Sequence, residues 1–157
     1  MRLRRARGID LPTLARAAKV ADLPPARLQS AGRYLGTSLV DGDVRVTSQG
    51  LAPRSMARIS LSDEGLDVIR LAGSFRIPVG DLRSGRTSPD FQGQRLAAPG
   101  ALVVRWEHGE HVLDTGFRLE SAKSIKGLKK PQEHPEKQLT ELHRDWARTI
   151  GKIARQK

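Results

Sequence analysis

Hydrophobic and polar positions alternate most cleanly over Ala101–Leu119, read as ALVVRWEHGEHVLDTGFRL. Leu102, Val104 and Trp106 alternate with Val103 and Arg105. After a break at His108-Gly109-Glu110, Leu113, Thr115, Phe117 and Leu119 alternate with Val112, Asp114, Gly116 and Arg118. A period of two over this length is that of half-buried strands, and the glycine supplies a left-handed turn position at no steric cost. The stretch predicts a β-hairpin.

Shorter runs of the same kind precede it. Tyr34–Val40 predicts a strand and Asp41-Gly42-Asp43 a turn, while Val44–Leu51 is strand-like only at its start. Met56–Leu61, the turn Ser62-Asp63-Glu64-Gly65 and Leu66–Leu71 predict a second hairpin. Phe75, Ile77 and Val79 alternate again, with Pro78 among them. Proline cannot donate to a ladder, so this strand is expected at an edge, bulged, or ending there. Asp81–Gly100, rich in Gly, Ser, Pro and Arg, reads as a long loop with a weak strand near Phe91–Leu96. About six or seven short strands separated by regular turn signals predict a small antiparallel barrel or sandwich. Its expected core includes Ile59, Leu61, Phe75, Ile77, Val104, Trp106, Leu113 and Phe117.

The period changes at both ends of the chain. Asp10–Ala21 reads as a short helix, with Asp10 as N-cap, Pro12 in the first turn and Leu14, Ala15, Ala17 and Ala18 as helix formers. Pro24-Pro25 end it, and residues 22–33 read as a linker. From Glu136, Leu139, Leu142, Trp146, Ile150 and Ile153 fall at steps of three and four, the signature of an amphipathic helix. Glu133 and Glu136 suit the positive end of its dipole, and Arg148, Lys152, Arg155 and Lys157 the negative end. Its Trp146 face is expected to close the open end of the β-structure. Residues 120–130, with Ile125 and Leu128 facing in, are a second candidate for that cap. Three regions result: 1–32, a basic arm, short helix and Pro-rich linker; 33–120, the β-body; and 121–157, a Lys-rich connection and amphipathic helix.

Charge changes this picture most. Residues 34–119 hold ten basic and ten acidic side chains, whereas residues 1–33 hold eight basic against two acidic and residues 120–157 ten against five. A neutral body with basic ends points to an anionic partner, either lipid headgroups or nucleic acid. The contact residues expected are Arg2, Arg4, Arg5 and Arg7, and, as a second set, Lys123, Lys126, Lys129 and Lys130. No apolar run approaches the length of a bilayer span. The chain has no cysteine, so it offers neither disulfides nor thiolate chemistry.

Candidate chemistry is sparse. His108 and His111, with Glu107 and Glu110, have a spacing that hints at a metal, but around a hairpin turn these side chains are expected to splay to different faces, and no metal or cofactor is expected. His134 and His143 stand apart and read as structural. No serine lies in a Gly-x-Ser-x-Gly elbow, and no Gly-rich phosphate loop is present, so no enzyme is expected. The six aromatic residues fall mostly on core faces, which leaves nucleic-acid binding non-specific.

Five segments in order carry a family resemblance: Arg33–Ser38 (RYLGTS), Ser60–Val68 (SLSDEGLDV), Phe75–Arg83 (FRIPVGDLR), Leu102–Gly109 (LVVRWEHG) and Leu113–Arg118 (LDTGFR). Over about residues 33–120 the chain resembles an actinobacterial family of uncharacterised membrane-anchored proteins with a bacterial pleckstrin-homology-like (PH-like) domain. Such proteins are often labelled membrane, export or transporter proteins. The resemblance implies a PH-like antiparallel β-barrel of about seven strands in two near-orthogonal sheets, capped by a C-terminal helix. It also implies an N-terminal transmembrane helix, which this sequence lacks. Either Arg2, Arg4, Arg5 and Arg7 are a juxtamembrane cluster that follows a span, or the chain is a soluble variant. It does not imply phosphoinositide binding, because Asp41–Gly50 is not basic. The expected function is a non-catalytic adaptor or binding module at the cytoplasmic face of the plasma membrane, with an anionic membrane surface and a protein as partners. The alternative is a soluble binder of RNA or DNA.

Overall fold

The structure, a computed structural model, describes residues 11–120 and 135–155. Its strands are β1 (Leu28–Leu39), β2 (Val44–Arg45), β3 (Ser55–Ser62), β4 (Gly65–Ile69), β5 (Phe75–Pro78), β6 (Leu82–Ser88), β7 (Asp90–Phe91), β8 (Gln94–Arg95), β9 (Ala101–His108) and β10 (His111–Leu119), followed by helix α1 (Pro135–Arg155). The main sheet is antiparallel in the order β5-β4-β3-β1-β10-β9-β6, with β2 added beside β1. β7 and β8 form a separate hairpin.

The β9–β10 pair has the predicted register, Trp106 opposite Leu113 and Val104 opposite Thr115. Gly109 opens its two-residue turn at φ 60°, as a hairpin turn that follows strand twist requires. All eight expected core residues are buried, and they pack in one cluster with Tyr34 and the helix residues Trp146, Ile150 and Ile153. β5 is an edge strand that ends at Pro78.

The expected barrel is instead a curved, open antiparallel sheet. Its two edges, β5 and β6, are consecutive in sequence and joined by the 3-10 turn Val79–Asp81, but they do not pair with each other. Other elements cover them. Ala15 forms a bridge to Arg76 on the β5 edge, and α1 packs against β6.

Three further expectations are corrected. The helix expected over Asp10–Ala21 is not formed: apart from the Ala15 bridge and a 3-10 turn at Val20–Asp22, the described part is irregular chain. Its backbone bonds go outward, from Leu14 N–H to Gln49 and from Ala18 N–H to Asp67, so tertiary partners replace helical ones. The linker 22–33 gives way at Leu28 to β1, because Leu28–Tyr34 pairs with β3. The loop Asp81–Gly100 contains β6 in full, paired to β9, and the β7–β8 hairpin. That hairpin lies on the outer face of the sheet, where Phe91 and Leu96 cover Leu35, Ala101 and Val103. Val103 is thus buried although it points away from the main core. A Cβ at Gly116 would lie 2.8 Å from the Phe91 ring, so glycine makes this contact possible.

The cap is α1. A Cβ at Gly85 on β6 would lie 2.9 Å from the Ala147 carbonyl oxygen and 3.1 Å from Ile150 Cβ. The helix thus rests directly on strand backbone. It runs from Leu119, which donates its N–H to His143 Nε2, toward Gly85 and the Val79–Asp81 turn.

Candidate functional site

The interior is locked by polar contacts that leave little to a ligand. Trp106 Nε1 donates to Thr115 Oγ1 at 2.9 Å, and the Tyr34 hydroxyl donates to the Leu51 carbonyl at 2.7 Å. Between them, Thr115 and Thr37 are 2.9 Å apart and Thr37 and Tyr34 2.8 Å. Because a carbonyl only accepts, the chain has one consistent direction: Trp106 to Thr115 to Thr37 to Tyr34 to Leu51. Burial pushes the Tyr34 phenol up to about 12, although Thr37 and the nearby Arg70 and Arg45 pull the other way. Arg70 lies over the Tyr34 ring at 4.2 Å and donates to the carbonyls of Gly50, Pro53 and Gly73. One end of the sheet is therefore plugged by a guanidinium whose donors are spent on backbone.

The outer face of β6, β9 and β10 carries a polar cleft of about 230 Å³, bordered by Ser38, Asp43, Asp90 and Gln92 and floored by Arg86, Arg105 and Asp114. Arg86 meets Asp114 at 3.0 Å, and Arg105 also meets it at 3.0 Å. Burial alone would raise the Asp114 carboxyl, but the hydrogen bonds and charges of Arg105 and Arg86 outweigh it and hold the carboxyl below its ordinary range. Arg105 is raised in turn, chiefly by its bond to Asp114. A carboxylate that accepts from two guanidinium groups is an anchor for three strands and a poor general base. A second cleft of about 360 Å³ lies beside the β7–β8 excursion, lined by Thr87, Leu96 and Pro99 among others. Both clefts lie outside the core.

His108 and His111 do not splay apart as expected. They are register partners beside the turn, so they share a face. His108 Nε2 is engaged at 2.6 Å with the Pro12 carbonyl, and its ring lies beside Trp106. Among the described residues no cluster of three His, Asp or Glu side chains could hold a metal. His143 is buried: Leu119 N–H donates to Nε2, so Nδ1 must carry the proton it donates to the Leu139 carbonyl at 2.7 Å. Burial holds this imidazole below its ordinary value.

The expected contact residues Arg2, Arg4, Arg5 and Arg7, and Lys123, Lys126, Lys129 and Lys130, lie outside the described residues. What the structure gives is where their neighbours sit. Pro12 lies against His108 and Gly109, at the turn end of β10. Glu120 follows the other end of β10 and donates its N–H to the Ala31 carbonyl. The nine residues of β10 separate these points by roughly 25–30 Å. No described helix is long and apolar enough to cross a membrane.

A family model described as bacterial PH domain-like matches residues 11–132. The chain belongs to the bacterial PH domain-like family. The match takes in the extended segment from Leu11 and the whole of the main sheet, and it ends before helix α1. PH-like domains are generally non-catalytic binding or adaptor modules. No curated protein and no solved structure matches the chain.

Sequence reasoning missed Arg86, Arg105 and Asp114 as a group. Asp114 and Arg105 were legible as neighbours once the hairpin register was drawn. Arg86 was not, because its strand reads as a loop.

Proposed function

We propose that this PH-like chain is a non-catalytic binding module that docks on the anionic, cytoplasmic face of a membrane. The observation that carries this reading is the segregation of charge: a body with as many acidic as basic residues over 34–119, and an excess of basic residues at both ends. Each Lys or Arg near an anionic leaflet contributes about 1 kcal/mol. Several of them suffice for reversible attachment without a span. The family supports a binding role.

The test is sedimentation of the whole chain with vesicles of phosphatidylcholine alone and with vesicles containing equal parts phosphatidylserine. Binding only to the anionic vesicles, weakened by salt and by changing Arg2, Arg4, Arg5 and Arg7 to Ala, is the expected result. No binding to either vesicle, with strong binding to any RNA or DNA, would replace this reading with a polyanion binder.

A further inference from the structure

We infer that the outer face of β1 and β3, around Met56, is the surface of the body that lies against the anionic membrane. This inference rests on the membrane reading above and adds the face and its residues.

The first observation is geometric. Pro12 and Glu120, close in sequence to the two basic segments, lie at opposite ends of β10. Both can reach one plane most directly when β10 lies along it. A side-on body can present one of two faces. On one side is α1, whose exposed surface mixes Glu141 and Asp145 with Arg144 and Arg148, the last pairing with Asp145. On the other is the outer face of the sheet.

The second observation is the composition of that outer face. Arg33 stands opposite Met56 across the β1–β3 ladder, and Arg58 stands opposite Ile69 across β3–β4. Met56 is 53 % exposed, and Leu71, two residues beyond Ile69, is fully exposed. Arg33 and Arg58 are exposed and have no ion pair among the described residues. Arg33 also stands opposite Arg118, a like-charged pair that is unfavourable unless an anion lies between or one side turns away. Arg118 does turn away, to the carbonyls of Ala97, Ala98 and Gly100. Asp67, one register step along this face from Arg58, is buried and spent on Arg76, and the segment that carries Lys123 to Lys130 follows Glu120 in sequence.

Cations around exposed aliphatic side chains are the composition of an interfacial membrane surface. Single-stranded nucleic acid calls instead for exposed aromatic platforms. All six aromatic residues of this chain are buried, so the observations favour lipid.

The test uses the whole chain and the same two vesicle types. Arg33→Glu/Arg58→Glu and Met56→Ser/Leu71→Ser are exposed changes that should leave the unfolding midpoint within error. Both double variants should bind anionic vesicles roughly tenfold or more weakly than the parent. The serine pair should keep the parent's salt dependence, and the glutamate pair should lose part of it. Parent binding that is unchanged in both double variants but lost in the Arg2–Arg7 alanine variant would overturn this face and leave the membrane reading standing. A parent chain that binds no anionic vesicle would overturn both.

Discussion

Tyr34 shows how much one side chain can reveal about the interior. It is the only tyrosine in the chain, and it is fully buried at the end of the Trp106–Thr115–Thr37 hydrogen-bond chain. Its phenol is raised to about 12 because ionising it would place an anion in the core, despite the Arg70 guanidinium over its ring. A raised folded value means that the contribution is fully present below the unfolded phenol's ordinary value of about 10 and is lost as pH rises through the folded one. Spectrophotometric titration should therefore show no phenolate near pH 10, and phenolate only on approach to about 12, together with unfolding. A simple transition near 10 in the folded protein would mean that Tyr34 is solvated and the chain of bonds is open. The hydrogen-bonding role of Thr37 and Thr115 was not legible in the sequence. Alternation puts both on the inner face, but nothing local shows that they meet each other.

At the scale of elements, α1 is held to the sheet by a contact that depends on protonation. Its buried His143 must be neutral at Nε2 to accept the Leu119 N–H. The groups that face it are the Leu139 carbonyl on its own helix and Arg118 on β10, whose charge disfavours protonation alongside burial. The folded value lies below the ordinary 6.5, so the unfolded chain takes up the proton first as pH falls. Stability is complete above about 6.5 and declines below it, down to the lower folded value. Urea midpoints measured from pH 7 to pH 5 should fall in the parent and fall less in His143→Gln, whose amide can still accept from Leu119. Parallel curves would place the pH dependence elsewhere. Element by element, the sequence is readable where burial is one-sided. The β9–β10 hairpin, the β3–β4 hairpin and α1 have periodic faces, and each forms where its period predicts. The misreadings come from segments whose partners are distant. Residues 11–19 have helical propensity, but their polar groups are claimed by Gln49, Asp67 and Arg76. β6 lacks apolar alternation because Gly85 must admit the helix and Arg86 must reach Asp114. Pro89 and Gly93 then disguise a short hairpin as loop.

At the scale of the whole molecule, three facts belong together: a PH-like body, basic charge gathered at the two ends of the sequence, and Pro12 and Glu120 at opposite ends of one strand. The body was readable in the sequence as a family resemblance and as a strand count. The open sheet was not, since closure depends on whether β5 and β6 pair, and their residues alone do not decide it. The separation of Pro12 from Glu120 was equally invisible, because it follows from the contact of Pro12 with His108 and from the register of β1 on β10. The proposed docking turns the outer face of β1 and β3 toward lipid and α1 away from it. The absence of cysteine makes the orientation directly measurable, because a single introduced cysteine takes a spin label at one place only. The decisive measurement is the accessibility of a nitroxide at Met56→Cys and, separately, at Glu141→Cys, to a water-soluble relaxation agent, with the chain on vesicles of equal phosphatidylserine and phosphatidylcholine. The account predicts strong protection at position 56 on binding and unchanged accessibility at position 141. Protection at 141 with full accessibility at 56 would contradict it.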